Sequence, residues 1–142
     1  MRISDIQMLL KVKTHLEKKA QQELAQIQQK KERENEVLGS LKETKETAMT
    51  EAVQHRKTRA TEMQTSSAFI NSLSHQIQQQ AKKIDEIVTQ EDGKRVELQE
   101  KSKSKKMMEK LGEKRQAEET KQADMKEQGM MDMLAQRLQP EE

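Results

Sequence analysis

Apolar side chains recur along this chain in steps of three and four, or sums of them. They run Ile6, Leu9/Leu10, Leu16, Ala20, Leu24, Ile27, Val37/Leu38, Leu41, Ala48 and Ala52. A second run follows: Ile70, Leu73, Ile77, Ala81, Ile84, Ile87/Val88, Leu98, Met108, Leu111, Met133/Leu134 and Leu138. That spacing places one narrow apolar stripe on each of two long helices, the pattern of a coiled-coil seam rather than the wider face of a globular helix. The composition agrees. Apolar residues make up 31% of the 142 and charged residues 37%, with one Phe and no Trp or Tyr. A compact core of this chain length needs more apolar mass and several aromatic rings. Gly and Pro are scarce, and strong helix formers dominate.

The start of the first helix carries its own signals. Ser4-Asp5-Ile6-Gln7 has the spacing of a capping box, and Ile3 and Met8 have that of a hydrophobic staple. The apolar stripe is interrupted by Lys13, Lys30/Lys31 and Glu34, and thins to Ala towards residue 52. Between about Arg56 and Ser67 it lapses, and Thr58, Thr61, Thr65, Ser66 and Ser67 cluster there. Ser and Thr hydroxyls compete with the helix for backbone hydrogen bonds, and Ser66 or Ser67 has the chemistry to cap a second helix. The chain is therefore expected to fold back here. Glu91-Asp92-Gly93 is a second turn candidate, but it would leave the strongest stripe facing only a short partner.

The expected fold is all-α: one elongated antiparallel two-helix coiled coil over residues 1–142. Helix 1 is expected over about 4–60, the turn over about 61–67 and helix 2 over about 68–138. Leu24, Ile27, Ile70, Ile77 and Ile84 are the expected hairpin core. A parallel homodimer of one unbroken helix is the alternative architecture, a generic coiled-coil scaffold.

Several function classes are excluded or left without support. The chain has no cysteine, so it has no disulfide framework or thiolate site. No apolar run approaches the length of a membrane span, and the N-terminus lacks a secretory apolar core. A cytoplasmic protein is expected. Gly93-Lys94-Arg95 lacks the rest of a phosphate-binding loop. His15, His55 and His75 stand alone, without a second His at helical metal-pair spacing. No catalytic residue, metal site or cofactor is expected, and the protein is not expected to be an enzyme.

Residues 94–115 hold nine basic and four acidic side chains, a net of +5. Such a band is either a solvated face laced with i,i+4 pairs or a surface for an acidic partner. Nucleic acid is not the expected partner, because the formal net charge is only +2 and no aromatic face exists to stack on bases beyond Phe69. Residues 116–142 turn acidic, with seven acidic and three basic side chains, and gather Met125, Met130, Met131 and Met133. Flexible Met side chains suit adaptable binding surfaces. Pro140 is expected to end the second helix.

Three stretches carry a resemblance. The N-terminal arm has Leu10, Glu17, Ala20, Leu24 and Ala25. Phe69-Ile70-Asn71-Ser72-Leu73 opens the second apolar run. Met131-Asp132-Met133-Leu134-Ala135-Gln136-Arg137 lies near the end. In order and spacing the chain resembles the FliJ family, the coiled-coil component of the bacterial flagellar type III export apparatus. The resemblance implies a stalk-like antiparallel hairpin. It implies insertion of the terminal end into the hexameric export ATPase (FliI), which the stalk helps to assemble, and linkage to the export gate protein FlhA. It also implies handling of empty export chaperones. By this resemblance Leu41, Phe69 and Leu73 fall at the gate contact, with Phe69 at the edge of the seam. Met131, Asp132, Leu134, Arg137 and Leu138, with Ile6 and Leu9, fall at the ring end. The chain departs from the family pattern at Thr44 and Ala48, aromatic in some members, and at Met133, where the signature has Glu. Peripheral association with the cytoplasmic face of the inner membrane at the flagellar base is implied as well. The equivalent stalk of a virulence injectisome would share the fold.

Overall fold

The structure is a computed structural model that describes residues 1–54 and 59–138. It consists of two α-helices, α1 (Ile3–Gln54) and α2 (Ala60–Leu138), with no strand among the described residues. The helices pack against each other as an all-α hairpin, as the apolar spacing requires. Side chains pair within two compact units, one formed by Met1–Lys19 with residues 98–142, the other by Ala20–Glu97.

In the unit Ala20–Glu97 the seam runs on α1 through Ala20, Leu24, Ile27, Lys31, Glu34, Leu38, Leu41, Lys45, Ala48 and Ala52, with Glu23 shielded beside it. On α2 the seam runs through Ser66, Ile70, Leu73, Ile77, Gln80, Ile84, Ile87, Glu91 and Lys94, with Ser74, Ala81 and Glu97 shielded beside it. Both sets alternate steps of three and four without a break, the heptad spacing that keeps a seam facing its partner. The helices run antiparallel: Glu23 pairs with Lys94, Lys31 with Glu91, and Glu34 with Lys83. Leu73, Ile84 and Ile87 are buried. The expected core residues Leu24, Ile27, Ile70 and Ile77 are half-buried on the same seam. A two-helix interface leaves each seam residue an open flank, so most seam residues are only half-buried.

In the unit Met1–Lys19 with residues 98–142, α1 shields Ile3, Ile6, Leu10, Lys13 and Glu17, and α2 shields Leu98, Lys101, Lys105, Met108 and Gly112. Ile6 is 1% exposed. The Cβ that Gly112 lacks would stand 3.2 Å from Ile6 Cγ2, so the missing side chain is what admits Ile6 to the seam. Lys13 Nζ donates to Ser104 Oγ at 2.6 Å, and Lys105 Nζ lies 3.7 Å from Glu17 Oε1.

Several expectations are corrected. Residues 61–67 are not a turn but the first turns of α2, which begins at Ala60, where the Arg59 carbonyl accepts from the amides of Glu62 and Met63. The Thr cluster does not break the helix, and the Thr65 hydroxyl is satisfied within it. Thr65 Oγ1 donates to the Thr61 carbonyl at 2.9 Å, the same i−4 bond made by Thr14, Thr44, Thr50 and Thr89. Accordingly Ser66 and Ser67 cap nothing and lie inside α2. Of the lapse that the sequence places from about Arg56, and of the end of helix 1 expected near residue 60, residues 55–58 lie outside the described residues. Pro140 lies outside them too. At the other end, Ser4 is already helical and the Arg2 carbonyl accepts from the Ile6 amide, so the cap falls two residues before the expected box. Met8 is exposed and forms no staple there. Lys13, Lys31 and Glu34 do not interrupt the seam but occupy its heptad positions, whereas Leu16, Val37 and Val96 are exposed. The alternative turn at Gly93 is uninterrupted helix.

Candidate interaction surfaces

Several charged side chains facing the seam are held in pairs. Glu91 is the most constrained of them, at 2% exposure. Arg95 Nη2 donates to its Oε1 at 2.6 Å. Lys31 Nζ lies 2.6 Å from Oε2, a charge contact whose angle falls outside a directed hydrogen bond. The Lys31 ammonium is the main reason the Glu91 carboxyl is held below its ordinary value, against the desolvation that raises it. Glu34 is likewise held down, first by Gln80 and then by Lys83. Gln80 Nε2 donates to the Glu34 carboxylate at 2.6 Å and to its backbone carbonyl at 2.9 Å. Lys94, between Glu23 at 2.9 Å and Glu97 at 3.3 Å, is pushed above its ordinary value, chiefly by its hydrogen bond to Glu23. These pairs set register. No group of three or more His, Cys, Asp or Glu is placed to hold a metal among the described residues. His15 and His75 are exposed on helix faces, and His55 lies outside the described residues.

The residues expected at a gate contact divide. Leu41 is half-buried and Leu73 is 5% exposed, both within the seam. Phe69 is 50% exposed, beside a cleft of about 370 Å³ that Ala48, Ala52, Met63 and Ser66 help to line. Small residues at 48, 52 and 66 leave that space unfilled. Phe69 is the one residue of the three whose ring is open to a partner.

The residues expected at the ring end divide as well. Ile6 is buried against Gly112, and Leu9 is half-buried. Met131, Asp132, Leu134, Arg137 and Leu138 are all exposed, as is every described residue of α2 after Gly112. At 100° per residue, Met131, Leu134 and Leu138 share one face, and Asp132 and Arg137 flank it. Between the buried and the exposed set lies a groove of about 940 Å³. Ile3, Ile6 and Leu10 wall it from α1, and Gly112 to Met125 wall it from α2. Further along α2, Lys103, Lys110 and Lys114 are exposed and without an ion pair among the described residues.

Sequence reasoning missed Glu91, Lys31 and Gly112. The signal for the first two was present, since both sit in an unbroken three-four spacing once charged residues are counted as seam positions. For Gly112 no signal exists along one chain, because its role depends on Ile6 across the seam.

Among the described residues no helix is long and apolar enough to cross a membrane. No curated protein and no solved structure matches the chain. The family described as flagellar FliJ protein matches over residues 1–139. Both helices, the heptad seam and the exposed end of α2 fall inside that span, and so the chain belongs to the flagellar FliJ protein family, as a flagellar-type export stalk protein.

Proposed function

We propose that the chain is the stalk that seats its terminal end in the ring of the flagellar export ATPase FliI, promotes hexamerisation and hydrolysis, and couples the ring to the export gate protein FlhA and to the turnover of empty export chaperones. The observation that carries this reading is the end of α2. From Glu113 to Leu138 the helix is exposed throughout, yet it presents Met131, Leu134 and Leu138 on a single face. An apolar face without an intramolecular partner is a docking surface in search of one.

A single asymmetric insert in a six-fold ring meets six non-equivalent surroundings. It therefore favours one subunit state over another at each position, which is how a non-catalytic part changes a hydrolysis rate. The stalk itself supplies no catalytic group; it acts by differential binding. Gate contact is assigned to the half-exposed Phe69, with Leu41 and Leu73 supporting it from the seam. Attachment at the cytoplasmic face of the inner membrane then follows from these partners rather than from a membrane segment.

The test adds the protein to purified export ATPase and follows hydrolysis and ring formation. Stimulation of both is expected, and it is expected to vanish when residues 126–142 are deleted while helicity per residue is retained. Absence of any effect of the intact chain refutes the ring reading. Undiminished stimulation by the truncated chain refutes the assignment of the Met-rich end.

A further inference from the structure

The groove beside Ile6 carries more than a general docking end. On α2 it runs from Glu109 to Met125, about 24 Å at 1.5 Å per residue, whereas α1 walls only the stretch opposite Ile3 to Leu10. It is a trough along a helix rather than a cup, and its length suits several turns of a second helix. Its floor is apolar, made by Ile3, Ile6, Leu10 and Ala117, with Met125 as an adaptable edge. Its rim is acidic. Glu109, Glu113 and Asp124 stand around it against a single Lys121. Glu109 only grazes Lys105 at 3.9 Å, and Glu113 and Asp124 have no ion pair among the described residues. Unpaired carboxylates over an apolar floor call for cations over an apolar knob.

The geometry points to a basic amphipathic helical segment as the occupant, which on the ring reading above belongs to the ATPase. It lays an aliphatic side chain on the Ile6–Ala117 floor and places Lys or Arg residues, a turn to either side, against Glu113 and Asp124. This rests on the ring reading above and names the chemistry of the ring element that the stalk grips. Lys103, Lys110 and Lys114 do not line the groove.

The experiment measures the stalk concentration that half-maximally stimulates purified export ATPase at two salt concentrations. Ala117 is exposed, so Ala117→Phe fills the trough from the solvent side without entering the seam. It is expected to raise the half-maximal concentration by about tenfold, the loss typical of a blocked anchor pocket. The paired change Glu113→Lys with Asp124→Lys is expected to raise it as well and to flatten its salt dependence. Lys103→Glu is expected to leave it unchanged. Helicity by circular dichroism is expected to be the same in all variants. If wild type stimulates and Ala117→Phe stays within about twofold of it, the groove assignment is overturned while the ring reading stands. If wild type itself does not stimulate, both fall. If the protein alone sediments as a dimer that Ala117→Phe dissociates, the occupant is a second copy, and the assignment to the ATPase is overturned.

Discussion

Replacing Ile87 by Ala tests the seam most directly. Ile87 is 3% exposed in the unit Ala20–Glu97, and its neighbour Val88 is turned outward. Truncating a buried Ile costs about 2–5 kcal/mol, the lower part applying where surroundings can close on the gap. A two-helix seam is such a place, since flanking side chains and water reach it from both sides. The starting loss is then about 2–3 kcal/mol. Ala returns about 0.4 kcal/mol of helix propensity. The net expectation is a loss of about 2 kcal/mol. The control is Val96→Ala. Val96 is 55% exposed, and its change is expected to fall within about 0.5 kcal/mol of zero. Urea titration followed by far-ultraviolet circular dichroism reads both variants, with the slope checked for constancy. An Ile87→Ala loss no larger than that of Val96→Ala would refute the heptad register, because the register alone separates the two positions.

Other perturbations separate the remaining parts of the argument. Gly93→Ala meets nothing within 4 Å of the added Cβ, so it should gain most of the helix-propensity difference, about 1 kcal/mol, and raise the melting temperature. Gly112→Val drives its branches into Ile6 and should destabilise by about 1–3 kcal/mol, with faster amide exchange in the first turns of α1. Glu34 and Glu91 lie below 4.5 when folded, so the unfolded chain binds more protons at acid pH. Their contribution is complete above 4.5 and is lost as pH falls through the depressed folded values. Lys94 lies above 10.5 when folded, so its contribution is complete below 10.5 and is lost as pH rises through the folded value. Urea midpoints against pH should therefore show a plateau with an acid limb, and Glu91→Gln should shrink that limb.

The helices and their mutual packing were legible because apolar spacing along one chain reports the face a helix buries. Ile70, Leu73 and Ile77 lie on the seam that their spacing implies. Where two apolar neighbours competed, spacing could not choose. Leu38 and Ile87 face the partner, and Val37 and Val88 do not. Hydrophobicity also hid the polar half of the seam. Lys31 and Glu34 read as breaks because each is costly to bury alone, and only the pairing makes the position tolerable. The turn was misplaced for a local reason. A threonine that bonds its own i−4 carbonyl looks the same in sequence as one that leaves the helix. The groove was not legible at all. It is the space between α1's first turns and a stretch of α2 about a hundred residues away in sequence, and periodicity carries no information about empty volume.

The buried pair Lys31–Glu91 also has a mechanical consequence. If α2 slid along α1 by one heptad, Glu91 would face Leu24 or Leu38 in place of Lys31, and Gln80 would face Ile27 or Leu41 in place of Glu34. Apolar seam residues would tolerate that displacement, since one aliphatic knob fits another's hole. A carboxylate pressed against leucine would not. The pair thus works as an indexing pin: within that unit, an axial push on one helix is carried by both, and the hairpin yields by bending or opening before its strands of helix creep past each other.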